Sequence, residues 1–139
     1  MNPTIKNILA VLAGIIIGGI VNMGIIMISG YVIPPPEGVD MTTAEGIKAA
    51  VDADVLQSKH YIMPFLAHAL GALVGAVVAT LLGASHKFRL AMVIGVFFLI
   101  GGIMAANMIP APTWFIVLDL VVAYIPMAWL GYKLVTRKK

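Results

Sequence analysis

Four apolar stretches, each long enough to cross a lipid bilayer, decide what this chain can become. They occupy residues 5–32, 62–84, 90–109 and 113–135. A crossing takes about 20 residues at about 1.5 Å rise each. The expected fold is therefore an all-α integral membrane protein, with residues 1–139 forming one transmembrane domain. Composition agrees. Of the 139 residues 61% are hydrophobic and 11% charged, whereas about a quarter are charged in soluble domains. The first stretch exceeds the apolar core of a signal peptide, about 7–15 residues, and no A-x-A site follows it. It reads as a signal anchor that stays as the first span.

Basic residues set the orientation. Lys6, Lys87, Arg89, Lys133, Arg137, Lys138 and Lys139 fall on one side of a four-span arrangement, and only Lys48 and Lys59 on the other. The positive-inside rule then places both termini and the 85–89 turn in the cytoplasm. Five of the six acidic residues (Glu37, Asp40, Glu45, Asp52 and Asp54) fall in one outer loop, 33–61. Tyr31, Tyr61 and Trp114 mark the outer interface, Trp129 and Tyr132 the inner one. The net charge of +3 thus reflects sidedness, and a nucleic-acid partner is not expected. The expected compartment is the cytoplasmic (inner) membrane of a bacterium.

Spans two to four are joined by a few residues each, so consecutive helices are expected as antiparallel neighbours in an up-down four-helix bundle. Only the first connection has room for structure. Pro34, Pro35 and Pro36 end the first helix and run on as stiff polyproline II. "TTAE" then reads as a capping box with Thr42 as N-cap. Beyond it Ile47, Ala50, Val51 and Val55 recur at helical spacing. A short amphipathic helix on the outer surface or across the bundle mouth is expected, either as cover or as a lid or docking element. "IGGIVNM" in span one echoes "IGGIMAANM" in span three, which leaves a duplicated two-helix unit open.

Small residues identify contact faces. Ala67, Gly71, Gly75 and Ala79 recur every fourth residue and lead to Gly83. Gly14 and Gly18 form the same step in span one, and Gly95, Gly102 and Ala106 serve span three. In lipid, close backbone approach and interhelical hydrogen bonds must hold helices together. The same stripes would also serve a homo-oligomer or a larger membrane complex.

Four polar residues interrupt the spans: Asn22, His68, Asn107 and Asp119. His68 and Asp119 each lie about seven residues, or about 10 Å, in from the outer helix ends. An unpaired aspartate at mid-helix costs about 2.5–3.5 kcal/mol and finds a partner; His68 is the candidate. Pro126 cannot donate to the Val122 carbonyl, so a kink and a small polar cavity are expected near Asp119. Asn107 is read as a helix-end cap near Pro110 and Pro112, Asn22 as an interhelical hydrogen bond. His60 and His86 are read as solvated or headgroup-facing.

No cysteine is present, which excludes disulfides and thiolate metal sites. The nine methionines form no cluster for a soft metal, and no metal or other cofactor is expected. P-loop, H-E-x-x-H and G-x-S-x-G signatures are absent. The plan resembles that of small four-span bacterial membrane proteins. It departs from the multidrug exporters of similar size, which carry a membrane glutamate in their first helix. The expected function is transport or small-ligand binding at an outer-half pocket of His68 and Asp119 with Asn22 and Asn107, taking a proton, a cation or a small polar ligand. The rival is a non-catalytic accessory or scaffold subunit whose polar residues only hold helices together. A membrane enzyme acting on lipid or quinone is the third reading.

Overall fold

The structure is a computed structural model and describes residues 1–137. It is all-helical, with no strand among those residues. Helix α1 is Pro3–Val32, α2 is Ala44–Asp52, α3 is Ile62–Leu82, α4 is Lys87–Met108, α5 is Thr113–Val122 and α6 is Ile125–Thr136; a 3-10 turn, Ser58–Tyr61, leads into α3. Four stretches are long and apolar enough to cross a membrane: Pro3–Val32, Ser58–Leu82, Lys87–Met108 and Thr113–Thr136. They suggest a multi-pass membrane protein. Lys138 and Lys139, counted with the basic side, lie outside the described residues.

Local chemistry sets the helix ends. Pro3 opens α1 behind Asn2, whose side chain accepts from the Thr4 amide at 2.8 Å. Pro112 precedes α5, and its carbonyl accepts from the Phe115 and Ile116 amides. The last span is two helices rather than one. Pro126 has no N–H for the Val122 carbonyl, so the helix opens at Ala123–Tyr124 and restarts at Ile125. Tyr124 takes φ −114° and ψ −77° there.

Helix α3 is the hub. It makes the most extensive contact with α1, and it also meets α4 and the α5–α6 span; α1 and that last span share little. Small residues sit at every crossing. A Cβ on Gly14 would lie 2.6 Å from the Gly75 carbonyl oxygen, and one on Gly18 would lie 2.5 Å from that of Gly71. Gly131 lies against Leu73 and Ala76, Gly95 against Ala128, and Gly102 beneath Tyr124. The core is accordingly mostly alanine: Ala67, Ala72, Ala76, Ala79, Ala91, Ala123 and Ala128 are fully buried, and the large side chains this deep are Tyr124 and Ile94, with Thr80.

Large apolar side chains point outward instead. Of α1 only Ala10, Gly14 and Gly18 are buried, while Ile8, Ile16, Ile20 and Met27 stand more than half exposed. In water so much contiguous apolar surface marks a partner or a membrane. The IGG echo does not translate into equivalent contacts. In α1 Gly18 is packed and Gly19 open, whereas in α4 Gly101 is open and Gly102 packed.

The 33–61 loop departs from expectation in its capping. Thr43, not Thr42, caps α2 by accepting from the Gly46 amide at 3.0 Å. Thr42 is already engaged: Asp40 accepts its amide at 2.8 Å and its hydroxyl at 2.5 Å. These bonds stabilise the ionised carboxylate and hold Asp40 below its ordinary value of 3.8. Ala50 is the buried residue of α2, and Val55 lies beyond the helix, where its amide donates to the Ala50 carbonyl. The helix thus packs against its own loop.

Candidate functional site

Asp119 lies on α5 one turn before the helix opens, and it is 5% exposed. Two side chains meet its carboxylate. The His68 ring, on α3, places Nδ1 at 2.8 Å from Oδ1 and 3.0 Å from Oδ2. The Tyr124 hydroxyl donates to Oδ2 at 2.9 Å. The two rings also stack, with centroids 5.8 Å apart and planes inclined by 27°. A carboxylate with two donors is no longer the unpaired group that a bilayer rejects.

Each partner is positioned by a small residue. On the helix of His68, Ala69 and Ala72 pack against Ala123 and Tyr124, so α3 can approach the last span closely. The Tyr124 ring lies on Gly102 of α4, where a Cβ would collide with the phenol. Three helical stretches therefore converge on one carboxylate.

Tyr124 stands five residues after Asp119. On an unbroken helix five residues turn about 500°, which would carry the two side chains to different faces. The opening at Ala123–Tyr124 brings the phenol round. Pro126 thus builds the site. The expected kink lies where Pro126 placed it, the cleft at this end of the molecule does not reach Asp119 as the expected small polar cavity would, and the second donor was missed. A signal was present, since a tyrosine in mid-span cannot belong to an interfacial belt.

The asparagines stand apart from this pair. Asn22 packs against Gly71 on the α1 side of α3, and its Oδ1 is buried without a hydrogen-bond partner. Asn107 is exposed, and its side-chain amide donates to the Ile103 carbonyl of its own helix at 2.9 Å. Of the four polar residues within the apolar spans, only His68 and Asp119 meet. His60 does more than face solvent. Its Nδ1 accepts from the Gln57 amide at 2.9 Å and shapes the turn before α3.

The site is lopsided. The Asp119 side chain is 7% exposed but that of His68 is 23% exposed, and Nε2 of His68 makes no hydrogen bond within the described residues. With Nδ1 held by the carboxylate, Nε2 is a proton acceptor on a neutral ring and a donor on a charged one. A cleft of about 150 Å³ lies at the same end of the molecule, between Tyr61, Phe65, Trp114 and Leu118. It is walled by aromatic side chains, with Tyr61 and Phe115 centroids 4.9 Å apart, and Asp119 is not among its lining residues. Among the described residues no three histidine or acidic side chains gather as for a metal ion.

Compared with known proteins, the chain matches no family model, no curated protein and no solved structure.

Proposed function

We propose that the chain is a multi-pass protein of the bacterial cytoplasmic membrane that binds or passes a proton, cation or small polar ligand at His68. In this reading the four spans follow an up-down order, both termini are cytoplasmic, and the His68–Asp119–Tyr124 group lies in the outer half of the membrane. One observation carries it: a buried carboxylate fixes one face of an imidazole whose other nitrogen has no partner among the described residues. A proton arriving at Nε2 creates an imidazolium, and the carboxylate 2.8 Å from Nδ1 offsets that charge. Tyr124 holds the second carboxylate oxygen, so the ring meets a fixed rather than a wandering acceptor. The same Nε2 accepts from an ammonium, hydroxyl or water of a bound ligand.

The second reading is an accessory or scaffold subunit, favoured by the near-complete burial of Asp119 and by its satisfied oxygens. Proteoliposomes separate the two. The chain is reconstituted with an internal pH dye, and a potassium diffusion potential drives proton entry. Wild type is expected to acidify the lumen, with Asp119→Asn and His68→Gln at least tenfold slower and of unchanged helicity. Flux equal to that of empty liposomes, or unaltered flux with lowered thermal stability in the variants, contradicts the transport reading. The second pattern supports the clasp.

A further inference from the structure

The end of the molecule opposite His68 carries a second, independent feature. A groove of about 420 Å³ runs between the start of α1 and the start of α4. Its lining changes character along its length. Thr4, Asn7 and His86 form the mouth, and Ile8, Val11, Leu12 and Leu90 form the walls beyond. Thr4 to Leu12 spans about 12 Å of helix at about 1.5 Å per residue. The mouth is polar and the floor is apolar.

The mouth is also built, not merely open. The Asn7 side chain accepts from the Ala84 amide at 2.8 Å and the Ser85 amide at 3.2 Å, and donates to the Ser85 hydroxyl at 3.0 Å. This clasp fixes the α3–α4 turn against α1. His86 ends the turn in the left-handed region, at φ +50°, a strained conformation for a residue with a Cβ.

Charge completes the picture. Lys6, Lys87 and Arg89 flank the lining residues in sequence, and among the described residues none of them is in a salt bridge. All six acidic residues lie elsewhere, five in the 33–61 loop and one at Asp119. Three cations next in sequence to lining residues, without internal counter-charge and beside an apolar slot, match an anionic head joined to an acyl chain. Basic pockets between membrane helices bind such lipid heads.

We infer that this groove is a binding site for one anionic glycerophospholipid of the surrounding membrane, its phosphate at Lys6, Lys87, Arg89 and His86 and an acyl chain along Ile8, Leu12 and Leu90. The inference rests on the proposed membrane location but not on any activity at His68. It is tested with the full chain in neutral detergent, by native mass spectrometry and thermal unfolding with added phosphatidylglycerol, phosphatidylcholine or inorganic phosphate. One phosphatidylglycerol is expected to be retained per chain and to raise the unfolding temperature, with phosphatidylcholine and phosphate inert. The combined variant Lys6→Gln, Lys87→Gln, Arg89→Gln is expected to bind about 100-fold more weakly, from about fivefold per charge. Leu12→Trp, which fills the slot from an exposed position, is expected to abolish retention with unchanged helicity. Equal retention of phosphatidylcholine, competition by inorganic phosphate, or full retention by Leu12→Trp overturns the inference. Carbonate extraction of the chain from cell membranes contradicts the membrane location itself, separately from the groove.

Discussion

Tyr124 is the residue on which the site depends most visibly. Its hydroxyl gives Asp119 a second donor, and its ring rests where Gly102 leaves room. Tyr124→Phe keeps the ring and removes one charge-assisted hydrogen bond. It is expected to lower stability in detergent by about 0.5–2 kcal/mol, measured by reversible unfolding in mixed micelles. Asp40 gives a residue-scale prediction outside the apolar spans. Its bonds from Thr42 hold its pKa down, so its contribution is present above the ordinary value of 3.8 and is lost as pH falls through the lower folded one. The Thr42 amide resonance is therefore expected to stay fixed between about pH 5 and 8 and to move only below about pH 4. A shift centred near neutrality would contradict this local structure.

Among the elements, the broken last span matters most. Pro126→Ala restores a donor for Val122 and favours one continuous helix, which would turn Tyr124 away from Asp119. In that background Tyr124→Phe is expected to cost nothing further, so a double-mutant cycle should give a coupling above about 0.5 kcal/mol. Additive effects would mean that the break does not position the phenol. The α1–α3 contact is the other test. Gly18→Leu forces a side chain onto the Gly71 carbonyl and is expected to destabilise by about 1–3 kcal/mol or to separate α1. Gly19→Leu, where nothing lies within 4 Å, is expected to be neutral.

Helix existence was legible in the sequence because lipid allows few alternatives, and runs of twenty apolar residues are a strong signal. The glycine spacings pointed to crossings that the structure uses, at Gly14, Gly18, Gly71, Gly75 and Gly102. Pairing His68 with Asp119 was legible too, because two costly polar groups at equal depth have reason to meet. What stayed hidden depended on backbone detail. Tyr124 reaches Asp119 only through the local break, and Asn7 reaches residues 84 and 85 only after the chain has folded back. Thr42 lost the cap to Thr43 because Asp40 competes for it, a contest that a motif pattern does not score.

At the scale of the whole molecule, a core of alanine and glycine with its isoleucines facing out makes sense only beside lipid or protein. The proposed orientation follows from the basic residues. The chain has no cysteine, so single introduced cysteines report sidedness without background. Ser85→Cys is expected to react with an impermeant maleimide from the cytoplasm, and Glu37→Cys from outside; the opposite pattern would invert the proposed topology. The proposed function requires, however, that His68 meet water while Asp119 holds it. The most direct measurement is nitrogen NMR of histidine-labelled protein in lipid, with His60 and His86 replaced by glutamine. Nε2 of His68 is expected to shift with buffer pH and to show magnetisation transfer from water. An Nε2 signal that ignores buffer pH and shows no transfer from water would contradict it, and would make the His68–Asp119–Tyr124 group a structural clasp.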